Sequence, residues 1–149
     1  MIETRPLFSL NVRLAPPLSI GGGAGERRFI SVQGGEVEGP ALGGEVLPVG
    51  EDLQTVRPDG TVELDIRTVI RASSGHLVYL SGRGLRHGPP ETLARIAAGH
   101  EVPPSEYYFR ETLYFETHDP ELEWLTRCAA LGKGRRNRST ATIDVFEVL

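Results

Sequence analysis

Cysteine is almost missing from this chain: Cys128 is the only one in 149 residues. A lone thiol excludes an internal disulfide framework and suits a reducing compartment, so the expected location is cytoplasmic. Nothing around Cys128 suggests a nucleophile, and a small buried residue is the plainer expectation. Long hydrophobic runs are missing too. No stretch approaches the roughly 20 apolar residues of a membrane-spanning helix, and MIETRPLFSL lacks the basic start and apolar run of a signal peptide. Excess positive charge is absent: the net charge is −4 and the pI about 5.6, so neither nucleic acid nor membrane is an expected partner. The familiar reaction signatures are absent as well. There is no G-x-S-x-G and no H-E-x-x-H. Gly132-Lys133 has no glycine five residues upstream, as a phosphate-binding P-loop would require. Gly21-Gly22-Gly23-Ala24-Gly25 fails as a dinucleotide fingerprint because Glu26 stands where the third glycine belongs, which leaves a flexible loop. His76, His87, His100 and His118 are scattered without ligand spacing, so neither a metal nor a cofactor is expected. No repeat or low-complexity linker divides the chain, and residues 1–149 read as one domain.

What is abundant is turn-forming residues: 18 glycines and 11 prolines. The stretch around which the rest arranges is Arg57 to Gly88. Arg57-Pro58-Asp59-Gly60 makes a turn, with proline suited to position i+1 and glycine to a positive φ. Then Val62, Leu64, Ile66, Thr68 and Ile70 alternate with Glu63, Asp65, Arg67, Val69 and Arg71, the period of a strand between two environments. Ala72-Ser73-Ser74-Gly75 turns the chain. On the way back Leu77, Tyr79, Ser81 and Arg83 alternate with Val78, Leu80, Gly82 and Gly84. Two arms of about ten residues are long for globular strands and suggest a sheet curling into a barrel.

Further strands are expected at Leu7 to Leu14, at Arg27 to Glu38 with a bend or bulge at Gly34-Gly35, at Leu42 to Leu47, and at Leu53 to Val56. The later ones are Glu106 to Thr117, Leu125 to Leu131 and Ala141 to Val148. Pro90, Glu91 and Gly99 bracket a short helix near 91–98, and Asp119-Pro120 starts a helical turn near 120–125. Gly132 to Arg138 reads as a basic, solvated hairpin loop. The fold class is therefore all-β: a mostly antiparallel barrel of about eight to ten strands with one or two short helices.

The chemistry-bearing residues cluster on strand faces. Asp65 and Arg67 share one face, as do Tyr79 and Arg83, and again Tyr108, Arg110 and Glu116. Were these faces to line a lumen, Arg67 and Arg110 would bind a carboxylate or enolate, and Asp65, Tyr79 and Tyr108 would exchange protons with it. The other reading follows the usual rule that the polar face of an antiparallel sheet meets water. On it, Asp65 and Arg67 are a solvated pair worth under about 1 kcal/mol.

A set of short matches narrows the choice: Gly39-Pro40-x-Leu42-x-Gly44-x-Val46-Leu47-Pro48, Asp52, Val56-Arg57-Pro58-Asp59-Gly60, Leu64-Asp65-x-Arg67, Tyr79, Gly84-x-Arg86-x-Gly88, Tyr107-Tyr108-Phe109-Arg110, Phe115-Glu116-Thr117 and Trp124-Leu125. In these the chain resembles the domain-of-unknown-function 3237 family, also called uncharacterised protein family 0311, over nearly its whole length. Leu53, Thr68 and Thr126 depart from the Trp, Tyr and Asn frequent in that pattern. The resemblance implies a small closed or nearly closed barrel with a central cavity and no settled activity. It sets a lumen site level with the solvated reading; in that site Asp65, Tyr79 and Tyr108 are expected as catalytic residues and Arg67, Arg110, Asp52, Arg83, Glu116 and Trp124 as substrate-binding ones. The function expected is that of a small-molecule-binding barrel acting as a cofactor-independent isomerase, lyase or cyclase on an anionic or aromatic metabolite. The alternatives are a non-catalytic binder and a structural or assembly protein. Apolar residues on both faces, such as Val69 beside Ile66 and Ile70, lead to the expectation of a homodimer.

Overall fold

In the computed structural model of the protein, which describes residues 1–23 and 25–149, sequence alternation becomes alternation of environment. Ala24, within the glycine-rich stretch 21–25, lies outside the described residues. In β6 (Val62–Ala72) every even-numbered residue is buried, and Glu63, Asp65, Arg67, Val69 and Arg71 are exposed or half-buried. β7 (Leu77–His87) pairs with it antiparallel, from Val62 opposite Arg86 to Arg71 opposite Leu77. The turn between them closes through the Gly75 amide, which donates to Ala72 O at 2.8 Å with Gly75 at φ 90°, a conformation that suits glycine.

Before this hairpin come β1 (Thr4–Leu14), β2 (Leu18–Gly21), β3 (Glu26–Glu38), β4 (Gly44–Val46) and β5 (Glu51–Val56). After it come helix α1 (Pro90–Ala97), a 3₁₀ turn at Pro104–Glu106, β8 (Tyr108–Thr117), a second 3₁₀ turn at Glu123–Arg127, β9 (Ala130–Arg136) and β10 (Thr140–Val148). The strand order is β1-β10-β9-β8-β7-β6-β4-β3, and β3 pairs back onto β1, so eight strands close an antiparallel barrel. β5 lies beside β4 between β3 and β6, and β2 is added to β3. The inward residues fill the barrel with one apolar core, in which Phe8 meets Phe115 edge-on at 5.7 Å. The expected bend at Gly34-Gly35 coincides with a slip of register between β1 and β3. A Cβ on Gly35 would lie 2.0 Å from Asn11 O, so the two backbones approach as only glycine allows.

The differences from expectation are local. β2 is a strand for which the sequence gives no expectation, and β4 keeps only the centre of 42–47. The larger correction concerns residues 125–138. Leu125 begins no strand but lies in a 3₁₀ turn, and the basic stretch from Gly132 is mostly strand β9. Its glycines face inward, where a Cβ on Gly134 would meet the Phe109 ring at 2.3 Å, while Lys133 and Arg135 face out.

Candidate functional site: an arginine-lined cavity at one end of the barrel

At the end of the barrel where β6 begins and β7 and β9 finish, the inward positions stop being apolar. β5 contributes Asp52 and Gln54, β7 Arg86, β8 Glu111 and β9 Arg136, all buried, and β3 contributes the half-buried Arg28. A cavity of about 810 Å³ opens here, lined by Arg28, Gln54, Arg86 and Arg136, by apolar wall residues such as Ile30 and Val62, and by Leu93 and Ile96 of α1.

The three guanidinium groups are held differently. Arg28 donates to Gln54 Oε1 at 2.7 Å, and Gln54 Nε2 donates to Asp52 Oδ2 at 2.7 Å. Asp52 Oδ1 also accepts the Asp65 amide at 3.1 Å. Arg136 donates to the carbonyls of Asn137 and Thr140 at 2.6 and 2.9 Å, and its amide donates to Tyr107 Oη at 2.9 Å. Arg86 is 7% exposed, yet among the described residues its guanidinium makes no hydrogen bond or ion pair; it lies 5.7 Å from the centre of the Phe109 ring. Its donors open instead to the cavity, where a ligand or water can accept from them. Burial, with the charges of Arg136 and Arg28, draws the Arg86 pKa down to about 10, which leaves it charged at neutral pH.

Beneath the arginines are two carboxyls. Burial raises the pKa of Asp52, against the hydrogen bonds from Gln54 and the Asp65 amide. Glu111 is pushed up to about 8 by burial and then by Asp52, with Arg86 opposing. Its direct neighbours across both ladders are glycines, Gly84 on β7 and Gly132 on β9, and its Oε2 has no hydrogen-bond partner among the described residues. Near pH 7 the cluster therefore carries three guanidinium charges against fewer than two full carboxylate charges, a positive field inside low-dielectric walls.

Of the residues expected to form a lumen site, Asp52 alone among those on strands faces the interior, while Trp124 packs against the core from the second 3₁₀ turn. Asp65 and Arg67 lie on the outer wall, 3.8 Å apart and partly solvated. Tyr79, Arg83, Tyr108, Arg110 and Glu116 occupy outward positions of β7 and β8 and are exposed or half-buried. The reason is the phase of the strands: closure turned the apolar face inward and left the polar face to water. Asp65, Arg83, Tyr108 and Arg110 do line a shallow outer groove of about 550 Å³, where Arg110 lies 5.1 Å from the Tyr108 ring and His87 stacks on it at 4.8 Å. Tyr79 and Glu116 pair with each other elsewhere on the wall, and Arg67 and Trp124 lie outside both cavities. Arg28, Gln54, Arg86, Glu111 and Arg136 were not anticipated. The signal for Arg86 and Glu111 was a charge on the apolar phase of its own strand, beside Val78 and Leu80 and beside Phe109 and Leu113.

The sequence profile of the family described as "Protein of unknown function (DUF3237)" matches residues 2–148. A UPF0311 protein of Rhodopseudomonas palustris is 37% identical over 149 residues, covering 99% of this chain and 97% of the relative. A crystal structure of a conserved protein of unknown function from that organism superposes with a TM-score of 0.97, covering 100% of this chain and 99% of the other. A beta-barrel like protein of Acinetobacter baumannii, 37% identical, gives a TM-score of 0.87 with coverage of 100% and 97%. A UPF0311 protein of Clostridium acetobutylicum is 38% identical over 121 residues, 80% of this chain and 77% of its own length.

Proposed function

The chain belongs to the DUF3237 family, and for this member we propose that the cavity beside α1 binds a small molecule bearing a carboxylate, enolate or phenolate, with Arg86 as the principal anchor and Arg28 and Arg136 beside it. The observation that carries this reading is the Arg86 guanidinium: it belongs to a buried residue, lines the cavity and meets no acceptor among the described residues, and such a fork of donors fits a planar anion. The apolar walls would cover the rest of the ligand. In its enzymatic form the reading is a cofactor-free isomerisation, elimination or cyclisation, in which the arginines stabilise charge developing on a substrate oxygen and Glu111 holds an exchangeable proton close by.

The test is native mass spectrometry and calorimetry of the full chain against a panel of aromatic and aliphatic carboxylates and their amides. Carboxylates should bind and amides should not. Arg86→Gln should weaken binding by about tenfold to a hundredfold, the worth of a charged hydrogen bond, while circular dichroism stays native. Chromatography of the bound compound after incubation separates the two forms: a changed compound supports the enzyme, an unchanged one the binder. Equal binding of amides and carboxylates would sink the anion site.

A further inference from the structure

We propose that anion capture at Arg86 is coupled to protonation of Glu111, so that the cavity takes up a proton together with its ligand. This rests on the anion-binding reading above and adds to it a group that does not line the cavity.

Glu111 and Arg86 stand two residues from a shared point of register. Glu111 faces Gly84, and Arg86, two residues further along β7, faces Phe109, two residues back along β8. Side chains two apart on a strand share a face. The position between them, Gly84, has no side chain, and a Cβ there would sit 2.6 Å from Glu111 Cγ. The flank toward β9 is also open, because Gly132 is the other neighbour. The carboxyl thus occupies space that two glycines leave, with Oε2 buried and unpartnered.

The charges that face it come from several elements. Asp52 on β5 repels the ionised form and Arg86 on β7 attracts it. Arg28 on β3 and Arg136 on β9 bear on Arg86, and the outer groove, whose lining Glu111 also joins, brings Arg27, Glu63, Asp65, Arg83 and Arg110. Tyr107, just before β8, is occupied with the Arg136 amide. Asp52 accepts two hydrogen bonds, from Gln54 and from the Asp65 amide. Glu111 has no comparable support. Its ionised form leans on Arg86, the group an anion would engage.

The consequence follows from linkage. Without ligand and above about pH 8, Glu111 is a carboxylate and Arg86 a cation that favours its charge. An arriving anion neutralises Arg86 and adds repulsion, so Glu111 gains a proton as the ligand binds. Well below that pH it is already protonated and nothing is exchanged. Affinity should therefore fall with rising pH, by as much as about tenfold per unit above the free-state pKa.

Cinnamate is a suitable probe because its carboxylate stays ionised across the range. Titrating it into the full chain by calorimetry, in two buffers of different ionisation enthalpy, counts the protons exchanged. At about pH 9 the protein should take up close to one proton per cinnamate, and at about pH 6 close to none. Glu111→Gln should bind cinnamate, exchange no proton and lose the alkaline fall in affinity. Binding without proton uptake at either pH, or uptake that survives Glu111→Gln, overturns the coupling and leaves the anion site standing. Failure of cinnamate to bind at any pH overturns both. If Glu111→Gln does not fold, the carboxyl ¹³C signal of Glu111 in the unaltered protein decides. Its titration midpoint should move up with cinnamate, and a midpoint that stays put refutes the proposal.

Discussion

A carboxyl buried beside another carboxyl is stable only while it keeps its proton, and Glu111 shows what that does to the whole protein. Unfolded, it titrates near 4.5; folded, burial and Asp52 push it up to about 8. The folded state therefore holds the proton more tightly. The stabilisation this gives is complete below pH 4.5 and is lost as pH rises through about 8. Thermal melts across that window should show the midpoint of unfolding falling with pH, and Glu111→Gln, which cannot ionise, should flatten that part of the curve. A variant with the same slope as the unaltered protein would remove Glu111 as the cause. The residue also shows what was legible in the sequence. Alternation identifies which residues share a face, and the polar faces with Asp65, Arg67 and Arg110 are the richest in charge. The candidate cavity instead draws on the few polar residues that interrupt the apolar faces. Glu111 sits in phase with Phe109 and Leu113, and Arg86 in phase with Val78 and Leu80. A charge in that phase must find a partner, a ligand or a proton inside the barrel, and this physical cue lies in the sequence itself.

At the scale of the element, β8 is a strand of large inward side chains set against glycines. Glu111 faces Gly84 and Gly132, and Leu113 faces Gly82, where a Cβ would come within 2.5 Å of a Leu113 methyl. Phe109 fills the space left by Gly134. Gly134→Ala should therefore cost about 1–3 kcal/mol in a urea titration, the usual range for overpacking a filled core, whereas Gly23→Ala, with nothing within 4 Å of the added carbon, should be close to neutral. Equal effects would mean that the barrel wall yields more easily than its contacts imply. This inward glycine pattern also explains why β9 escaped the sequence: Gly-Lys-Gly-Arg-Arg has the composition of a loop, and only its two-residue phase marks a strand. The opposite end of the barrel has its own tie. Ser74 donates to Asp119 Oδ2 at 2.8 Å, and the Glu121 amide donates to Oδ1 at 3.0 Å. His76 turns the same nitrogen, Nδ1, to Ser74 Oγ at 3.3 Å and Asp119 Oδ2 at 3.5 Å, so it does not stand between them as a hydrolytic relay would require. The tie is structural. The Ser74 hydrogen bond holds the Asp119 carboxyl below its ordinary 3.8, so its contribution is present above that pH and is lost as pH falls through the lower, folded value. Asp119→Asn should speed amide exchange in the turn at 72–75, and acidifying the unaltered protein should do the same. Exchange indifferent to both would show that the turn is held by its backbone alone.

At the scale of the molecule, closure joins the two ends of the chain. Thr4 pairs with Val148 along the β1–β10 ladder, and β1 pairs on its other side with β3. The ring was foreseeable from long strands and tight turns, but which strands meet across it was not, because register between the chain ends is fixed by three-dimensional closure and leaves no local mark. A ring has no free edge in its circuit, so opening it anywhere exposes two unpaired edges at once. The core is likewise one cluster fed by strands all round the barrel. The protein should then unfold as a single unit, and slowly refold, since its decisive pairings are between distant residues. Leu10 is the place to test this. It is 2% exposed and lies between Val37 of β3 and Ile143 of β10. Proline there removes an amide from the ladder and cannot be accommodated inside a paired strand. If the barrel is one cooperative unit, Leu10→Pro should abolish amide protection in β6 and β7, on the far side of the ring, together with protection in β1. If β6 and β7 keep native protection while β1 and β10 lose theirs, the hairpin at the centre of the chain is a folding unit in its own right, and closure only completes it.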